Sequence, residues 1–206
     1  MSYTLYYTPG ACSMAVHVIL NELGVPFEAI NQKDKLKDPE FLKLNPRGQI
    51  PLLIVDGEPV KEGAAIITYL LDTHDKDGKL LPKSGLPRAK GLEWLAWCNA
   101  TLHPASGKLF WLPKSGLDEK TKDELSKIFV TQLQTQWDEA ETRLGQKKYL
   151  AGDSVTAGDI LLTVIANWGL PVTFGPNVKR VIKEVSGRPS YQKALKTEQV
   201  EYKAAA

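Results

Sequence analysis

The chain has 206 residues, too many for a disulfide-stapled miniprotein and enough for one large domain or two small ones. Hydrophobic residues make up 43% and charged residues 24%, which excludes disorder over most of the length. With 26 basic against 24 acidic side chains the formal net charge is +2, so no general attraction to nucleic acid or to an anionic membrane follows. Two cysteines, Cys12 and Cys98, are too few for a disulfide framework and point to a reducing compartment. The opening MSYTLYYTPG lacks the basic-then-apolar pattern of a secretory signal. Apolar stretches such as 160–172 fall short of the ~20 residues that cross a bilayer. A soluble cytoplasmic protein is expected.

The first 75 residues alternate strand-like and helix-like segments. Thr4 to Tyr7 is a short β-favouring run ended by Thr8-Pro9-Gly10. Residues 12–23 carry apolar side chains at helical spacing and stop before Gly24, a C-terminal cap. Phe27 to Ile30 is a further strand, and 39–44 a short helical turn before Asn45-Pro46. Leu52 to Val55 reads as a strand, Asp56-Gly57 as a hairpin turn and Glu58 to Val60 as the return strand. Residues 63–73 form another helix. A stretch rich in Lys, Gly and Pro follows and reads as a linker over 76–87.

Residues 88–206 read as helical throughout. Leu92, Leu95, Trp97 and Leu102 mark one stripe. Leu125, Ile128, Phe129, Leu133, Trp137 and Leu144 mark the apolar face of a long helix over 118–144. A third helix begins near Thr156, where Thr156 and Asp159 form a capping box with Asp in place of the usual Glu. One or two more helices occupy 177–197, interrupted at Gly187 and Pro189. Apart from the Ala204–Ala206 tail there is no low-complexity tract, and there is no internal repeat.

Three positions in the first half invite chemistry. Cys12 stands at the start of the first helix, where unpaired N–H groups and the helix dipole favour negative charge. A thiol placed there can have its pKa lowered to ~3.5–7.5. The alternative is a small, buried, inert cysteine. No second cysteine lies three residues away, so a dithiol redox motif is excluded. Cys98, between Trp97 and Asn99, reads as packing. Ile50-Pro51 precedes a strand. A cis bond there would turn the Ile50 backbone outward to pair with an extended peptide, although an ordinary trans proline is the simpler reading of these residues. Glu62-Gly63 opens a helix whose N–H groups suit a carboxylate, with Glu62 able to receive an ammonium group. Plain charge compensation at a helix start is the alternative.

These sites occur in order within a β-α-β then β-β-α unit followed by helices. With the segments LYYTPGACS (5–13), NPRGQIPLL (45–53), EGAAIITYL (62–70), EWLAWCNATLH (93–103) and SVTAGDILL (154–162), the chain resembles the cytosolic glutathione transferases, most closely the bacterial beta class. The resemblance implies an α/β N-terminal thioredoxin-like domain (1–75), a linker (76–87), an all-α C-terminal helical domain (88–206), and a homodimer. It implies glutathione as co-substrate, with Cys12 and His103 at the reacting sulfur. By the same resemblance Ile50 pairs with the cysteinyl unit, Pro51 is the cis-proline, and Glu62 and Gly63 hold the γ-glutamyl end. Lys35 is the candidate for the glycine carboxylate, and Trp168 lines the electrophile pocket, for which Phe110 and Trp111 are further aromatic candidates. Tyr7 reads as structural. The chain departs from the family pattern at Ala96, Thr101 and Pro104, where Asn, Glu and Lys are common.

The expected reaction is attack of the glutathione thiolate on a small hydrophobic electrophile, a detoxifying conjugation. His103 would act as hydrogen-bond donor, acid or base. Its alternative is a core histidine bonded to a backbone carbonyl. Two competing functions are a thiol–disulfide oxidoreductase using Cys12 as mixed-disulfide carrier and a non-catalytic binder of a protein or hydrophobic ligand. No metal, nucleic acid or membrane partner is expected.

Overall fold

A computed structural model describes residues 1–204; Ala205 and Ala206, the end of the alanine tail, lie outside the described residues. The first strand, β1 (Tyr3–Tyr7), alternates buried and half-buried side chains, so Tyr3, Leu5 and Tyr7 face the core. Helix α1 (Ser13–Glu22) crosses over to β2 (Glu28–Asn31), which pairs parallel with β1. After α2 (Pro39–Leu44), strand β3 (Leu52–Val55) runs antiparallel to β1, and β4 (Glu58–Lys61) antiparallel to β3. The sheet order is β2-β1-β3-β4. Asp56 and Gly57 both have positive φ, 48° and 93°, which is what a two-residue hairpin turn of matching twist demands. Helix α3 (Gly63–His74) packs beside α1 and completes the thioredoxin-like unit.

The rest is helical. Helix α4 (Gly85–Trp97) leads through a wide turn at Cys98–Leu102 into α5 (His103–Trp111) and a short 3₁₀ turn (Leu112–Lys114). Then come α6 (Glu119–Gln146), α7 (Ala157–Ala166), α8 (Pro176–Ser186) and α9 (Pro189–Glu198). Helix α4 therefore starts inside the stretch read as linker, and residues 85–87 are helical. Pro87 falls in the first turn, where a missing N–H breaks no helical hydrogen bond. The stripe of Leu92, Leu95, Trp97 and Leu102 is not carried on one regular α-helix. At 98–102 the helix widens to a π-helical turn, with the His103 N–H donating to the Cys98 carbonyl five residues back. Pro104 supplies the reason. Its ring would clash with the carbonyl of Ala100 in a regular α-turn, and the wider turn moves that carbonyl aside.

Helix α7 is buried along its whole length, as an all-round apolar helix must be. Its start is the expected capping box. Thr156 N–H and Oγ1 both donate to Asp159 Oδ2 at 2.8 Å, and the Leu150 N–H donates to Oδ1 at 2.9 Å. On α6 the buried side chains are Leu133, Trp137, Ala140 and Leu144. Ile128, expected in the same stripe, is exposed, because the first half of this long helix projects past the core. Helices α7 and α9 both pack on α1, so one hydrophobic core runs through both halves.

Candidate active site

The loop between β1 and α1 is tied down from three sides. Ser13 Oγ accepts from the Thr8 N–H at 3.2 Å and donates to the Thr8 carbonyl at 3.3 Å. The Gly10 N–H donates to Glu198 Oε2 at 2.9 Å, and the Gly10 carbonyl accepts from Trp168 Nε1 at 2.9 Å. Gly10 has φ +70°, a conformation that strains side-chain-bearing residues. The outcome is a rigid turn that delivers Cys12 at the head of α1.

Of the two readings open for Cys12, the structure favours the protonated thiol over the thiolate. Burial dominates and pushes the thiol up to about 11, against the weaker lowering influence of the Ser13 and Cys12 N–H groups. The protonated sulfur donates to the Ile50 carbonyl at 3.7 Å. Cys98 is the inert packing residue expected: it is fully buried, donates to the Gly158 carbonyl at 3.5 Å, and burial holds its thiol well above the usual value.

The Ile50-Pro51 bond is cis. Ile50 and Pro51 form one wall of a cleft of about 430 Å³ that also takes in Cys12, Glu62, Gly63 and His103. Six of the sequence-derived site residues thus converge. Glu62 itself has φ +68°, outside the region normally open to a residue with a side chain, and such outliers gather at binding sites. No side chain caps α3, so its first N–H groups stay free for a ligand. The Glu62 carboxylate pairs with Arg47 at 2.6 Å, both groups being well exposed, which limits the strength of the pair.

His103 lies where the cleft meets a second, more open cavity of about 470 Å³, walled by the Pro9–Cys12 turn, Ile50, Phe110 and Trp168. Burial lowers the imidazole below its ordinary value and favours the neutral ring. The His103 ring meets the Trp168 ring edge to face at 4.9 Å, and Phe110 meets Trp168 at 5.9 Å. His103 is half-buried and stands at the junction of two cavities, which is not the place of a core histidine. Trp111 is turned out to solvent, 54% exposed. Tyr7 is buried, with its ring against His17, in keeping with a structural role.

Lys35 is the sequence-derived residue that the structure leaves out. It sits in a separate shallow depression with Tyr6, Gln32 and Phe41, not in the cleft. The cations that do line the cleft are Arg47 and Lys61. Arg47 belongs to the NPRGQIP segment and Lys61 precedes Glu62, so both lay beside recognised motifs. Asn45 and Asn99 also line the cleft. Asn99 carried no signal beyond standing four residues before His103. Among the described residues, no group of three or more His, Cys, Asp or Glu side chains could hold a metal ion, and no helix is long and apolar enough to cross a membrane.

Two family models match the chain: glutathione S-transferase, N-terminal domain, over residues 10–73, and glutathione S-transferase, C-terminal domain, over residues 102–189. Glutathione S-transferase GST-4.5 of Xanthomonas campestris pv. campestris is 34% identical over 169 residues, 80% of this chain and 81% of that protein. Among solved structures, a sphingomonad glutathione S-transferase complexed with glutathione has a TM-score of 0.83 at 27% identity, covering 96% of this chain and 100% of the other. A bacterial beta-class glutathione S-transferase from Sphingomonas chungbukensis has a TM-score of 0.82 at 30% identity, again over 96% and 100%. With the fold, both domain matches and these relatives in agreement, the chain belongs to the cytosolic glutathione S-transferase family and is a glutathione transferase enzyme.

Proposed function

We propose that this enzyme joins the sulfur of glutathione to an electrophilic carbon of a small hydrophobic substrate, with the two cavities dividing the work. The observation that carries this reading is their shared wall. The polar cleft and the aromatic pocket have Cys12, Ile50 and His103 in common. Glutathione lies extended in the cleft, its cysteinyl unit paired with the Ile50 backbone next to Pro51. Its γ-glutamyl end rests on the free N–H groups of α3 at Glu62-Gly63. That pose brings the sulfur to the junction. The electrophile enters from the side of Trp168 and Phe110.

Neutral His103 accepts the thiol proton, directly or through water, and the thiolate attacks the carbon. A carbon–sulfur bond forms, and the leaving group departs with the electron pair of the bond it breaks. Preorganised donors at the junction stabilise the sulfur charge as it develops. The glycine carboxylate is met by Arg47 or Lys61 in place of Lys35.

The high pKa of ligand-free Cys12 weighs against a disulfide-carrier role, which needs a thiolate. The free cysteines suit a reducing, cytoplasmic setting. A homodimer, a detoxifying role, and a division into residues 1–75, 76–87 and 88–206 complete the reading. The test is an aryl-halide conjugation assay on the wild type and on Cys12→Ala. Conjugate should form in both, with the variant slower. Activity confined to glutathione mixed disulfides and abolished by Cys12→Ala would replace conjugation with thiol exchange. Absence of glutathione binding at millimolar concentration would remove both.

A further inference from the structure

We propose that residues 199–204 form a strap that sets one wall of the electrophile pocket, and that Asn167, which anchors the strap, is a positioning residue for Trp168 and the Gly10 turn. The proposal rests on the reading of the aromatic cavity given above and names what shapes it.

The strap begins where α9 is brought to a stop. Gln199 has φ +55°, a left-handed conformation that strains a residue with a side chain, and the Val200 N–H closes the turn on the Leu195 carbonyl at 3.0 Å. Both γ-methyl groups of Val200 then lie 3.6 Å from the place a Cβ on Gly10 would take. Exposure alternates from there. Val200, Tyr202 and Ala204 are half-buried against the core, while Glu201 and Lys203 are exposed, which is the rhythm of an extended chain with one apolar face.

An extended chain without a neighbouring strand leaves its backbone groups in need of partners. Asn167 supplies them. Its Nδ2 donates to the Glu201 carbonyl at 2.9 Å, and its Oδ1 accepts from the Lys203 N–H at 2.7 Å and from the Ala204 N–H at 3.3 Å. One side-chain amide thus takes the place of an adjoining strand. The Tyr202 hydroxyl adds a bond to the Thr163 carbonyl at 3.0 Å.

The same anchor stands next to the pocket wall. Asn167 ends α7 and is followed directly by Trp168, whose indole N–H holds the Gly10 carbonyl and whose ring lies against His103 and Phe110. The Gly10 N–H is held by Glu198, the last residue of α9. The backbone of Gly10 is therefore engaged on every side by residues at the ends of α7 and α9. Gly10 and Trp168 line the aromatic pocket and not the polar cleft. Release of the strap frees Asn167 and removes Val200 from Gly10. The wall on the electrophile side then loosens, and Cys12, two residues beyond Gly10, becomes easier to reach.

Steady-state kinetics test the assignment on the wild type, Asn167→Ala, a chain ending at Val200, and the two changes combined. Each single change should raise the KM for a bulky aromatic electrophile by roughly three- to tenfold and leave the KM for glutathione within about twofold. The combination should add nothing further, because both changes remove the same set of bonds. Alkylation of Cys12 at neutral pH, followed by peptide mass, should quicken several-fold in every variant. An unchanged electrophile KM in both single variants would overturn the proposal. A matching rise in the glutathione KM would overturn it too, as general loosening, and so would losses that multiply in the combination. If the shortened chain does not fold, as judged by thermal melting, Lys203→Pro takes its place, since it deletes an N–H that Asn167 accepts. If the wild type conjugates no electrophile, the reading of the aromatic cavity falls, and the alkylation of Cys12 decides the strap by itself: equal rates in all the proteins would sink it.

Discussion

The thiol of Cys12 donates to the carbonyl of Ile50, the residue that the reaction scheme assigns to the glutathione backbone. In the ligand-free protein the two candidate partners of glutathione are thus engaged with each other. A thiol that donates a hydrogen bond is held protonated, and burial acts in the same direction. Cys12 is therefore expected to titrate near 11, measured by thiolate absorbance near 240 nm on Cys98→Ala protein. Alkylation at neutral pH should be slow and should rise with pH up to that value. For an acidic group whose folded pKa is raised above the ordinary 9, the folded chain holds its proton where the unfolded chain has lost it. This contribution to stability falls as pH rises through 9 toward 11. A Cys12 pKa below 7 in the free protein would contradict the assignment.

His103 should behave in the opposite sense. Burial lowers its pKa, so the ring is neutral at pH 7 and titrates below the ordinary value of 6.5. Above 6.5 both folded and unfolded chains carry it neutral. As pH falls below 6.5 the unfolded chain protonates first, and stability is lost. A histidine ring-proton titration by nuclear magnetic resonance, assigned with His103→Gln, would show this. The same variant should lower kcat by roughly tenfold to a hundredfold while leaving the KM for glutathione within about threefold, the split expected for loss of a proton acceptor. A His103 resonance titrating above 7 would remove the neutral-acceptor role.

Much of this architecture is local in origin and therefore legible in the residues themselves. The Asp56-Gly57 turn, the Thr156–Asp159 box and the breaks at Gly187 and Pro189 each follow from chemistry within four residues. The convergence of Cys12, Ile50, Pro51, Glu62, Gly63 and His103 was legible through motif resemblance. What the residues alone left open depended on distant parts of the chain. Helix-dipole reasoning left Cys12 open between a thiolate and an inert thiol, because burial and the carbonyl of Ile50, 38 positions away, also act on it. Lys35 is in a loop whose direction no periodicity reports, so its separation from Arg47 and Lys61 emerges only in three dimensions.

Trp168 joins two tasks that substitution can separate. Its ring lies against His103 and Phe110, and its indole N–H holds the Gly10 carbonyl. Trp168→Phe keeps an aromatic wall and removes the hydrogen bond. It should cost about 1 kcal/mol in urea unfolding and raise the KM for an aromatic electrophile several-fold, with the KM for glutathione nearly unchanged. Trp168→Ala also removes packing from a half-buried site, and the cost should grow to about 2–3 kcal/mol. If both variants match the wild type in electrophile KM, Trp168 does not wall the electrophile pocket.

Asp159 separates folding from chemistry in the same molecule. Its carboxylate is fully buried and accepts three hydrogen bonds, from the Leu150 N–H and from the N–H and hydroxyl of Thr156. Burial outweighs these donors and raises its pKa above the ordinary value. The carboxylate is thus costly to hold charged and still more costly to remove, because the two N–H groups it satisfies would be left buried without a partner. Asp159→Ala should destabilise by about 2–4 kcal/mol, the sum of a lost cap and unsatisfied donors. Asp159→Asn, which retains one acceptor, should cost about half as much. Both variants, once folded, should keep the KM values of the wild type, because α7 meets the cleft only through Leu161. A melting series with parallel kinetics distinguishes the outcomes. Loss of activity without loss of stability would move Asp159 from the framework into the site, against the position the structure gives it.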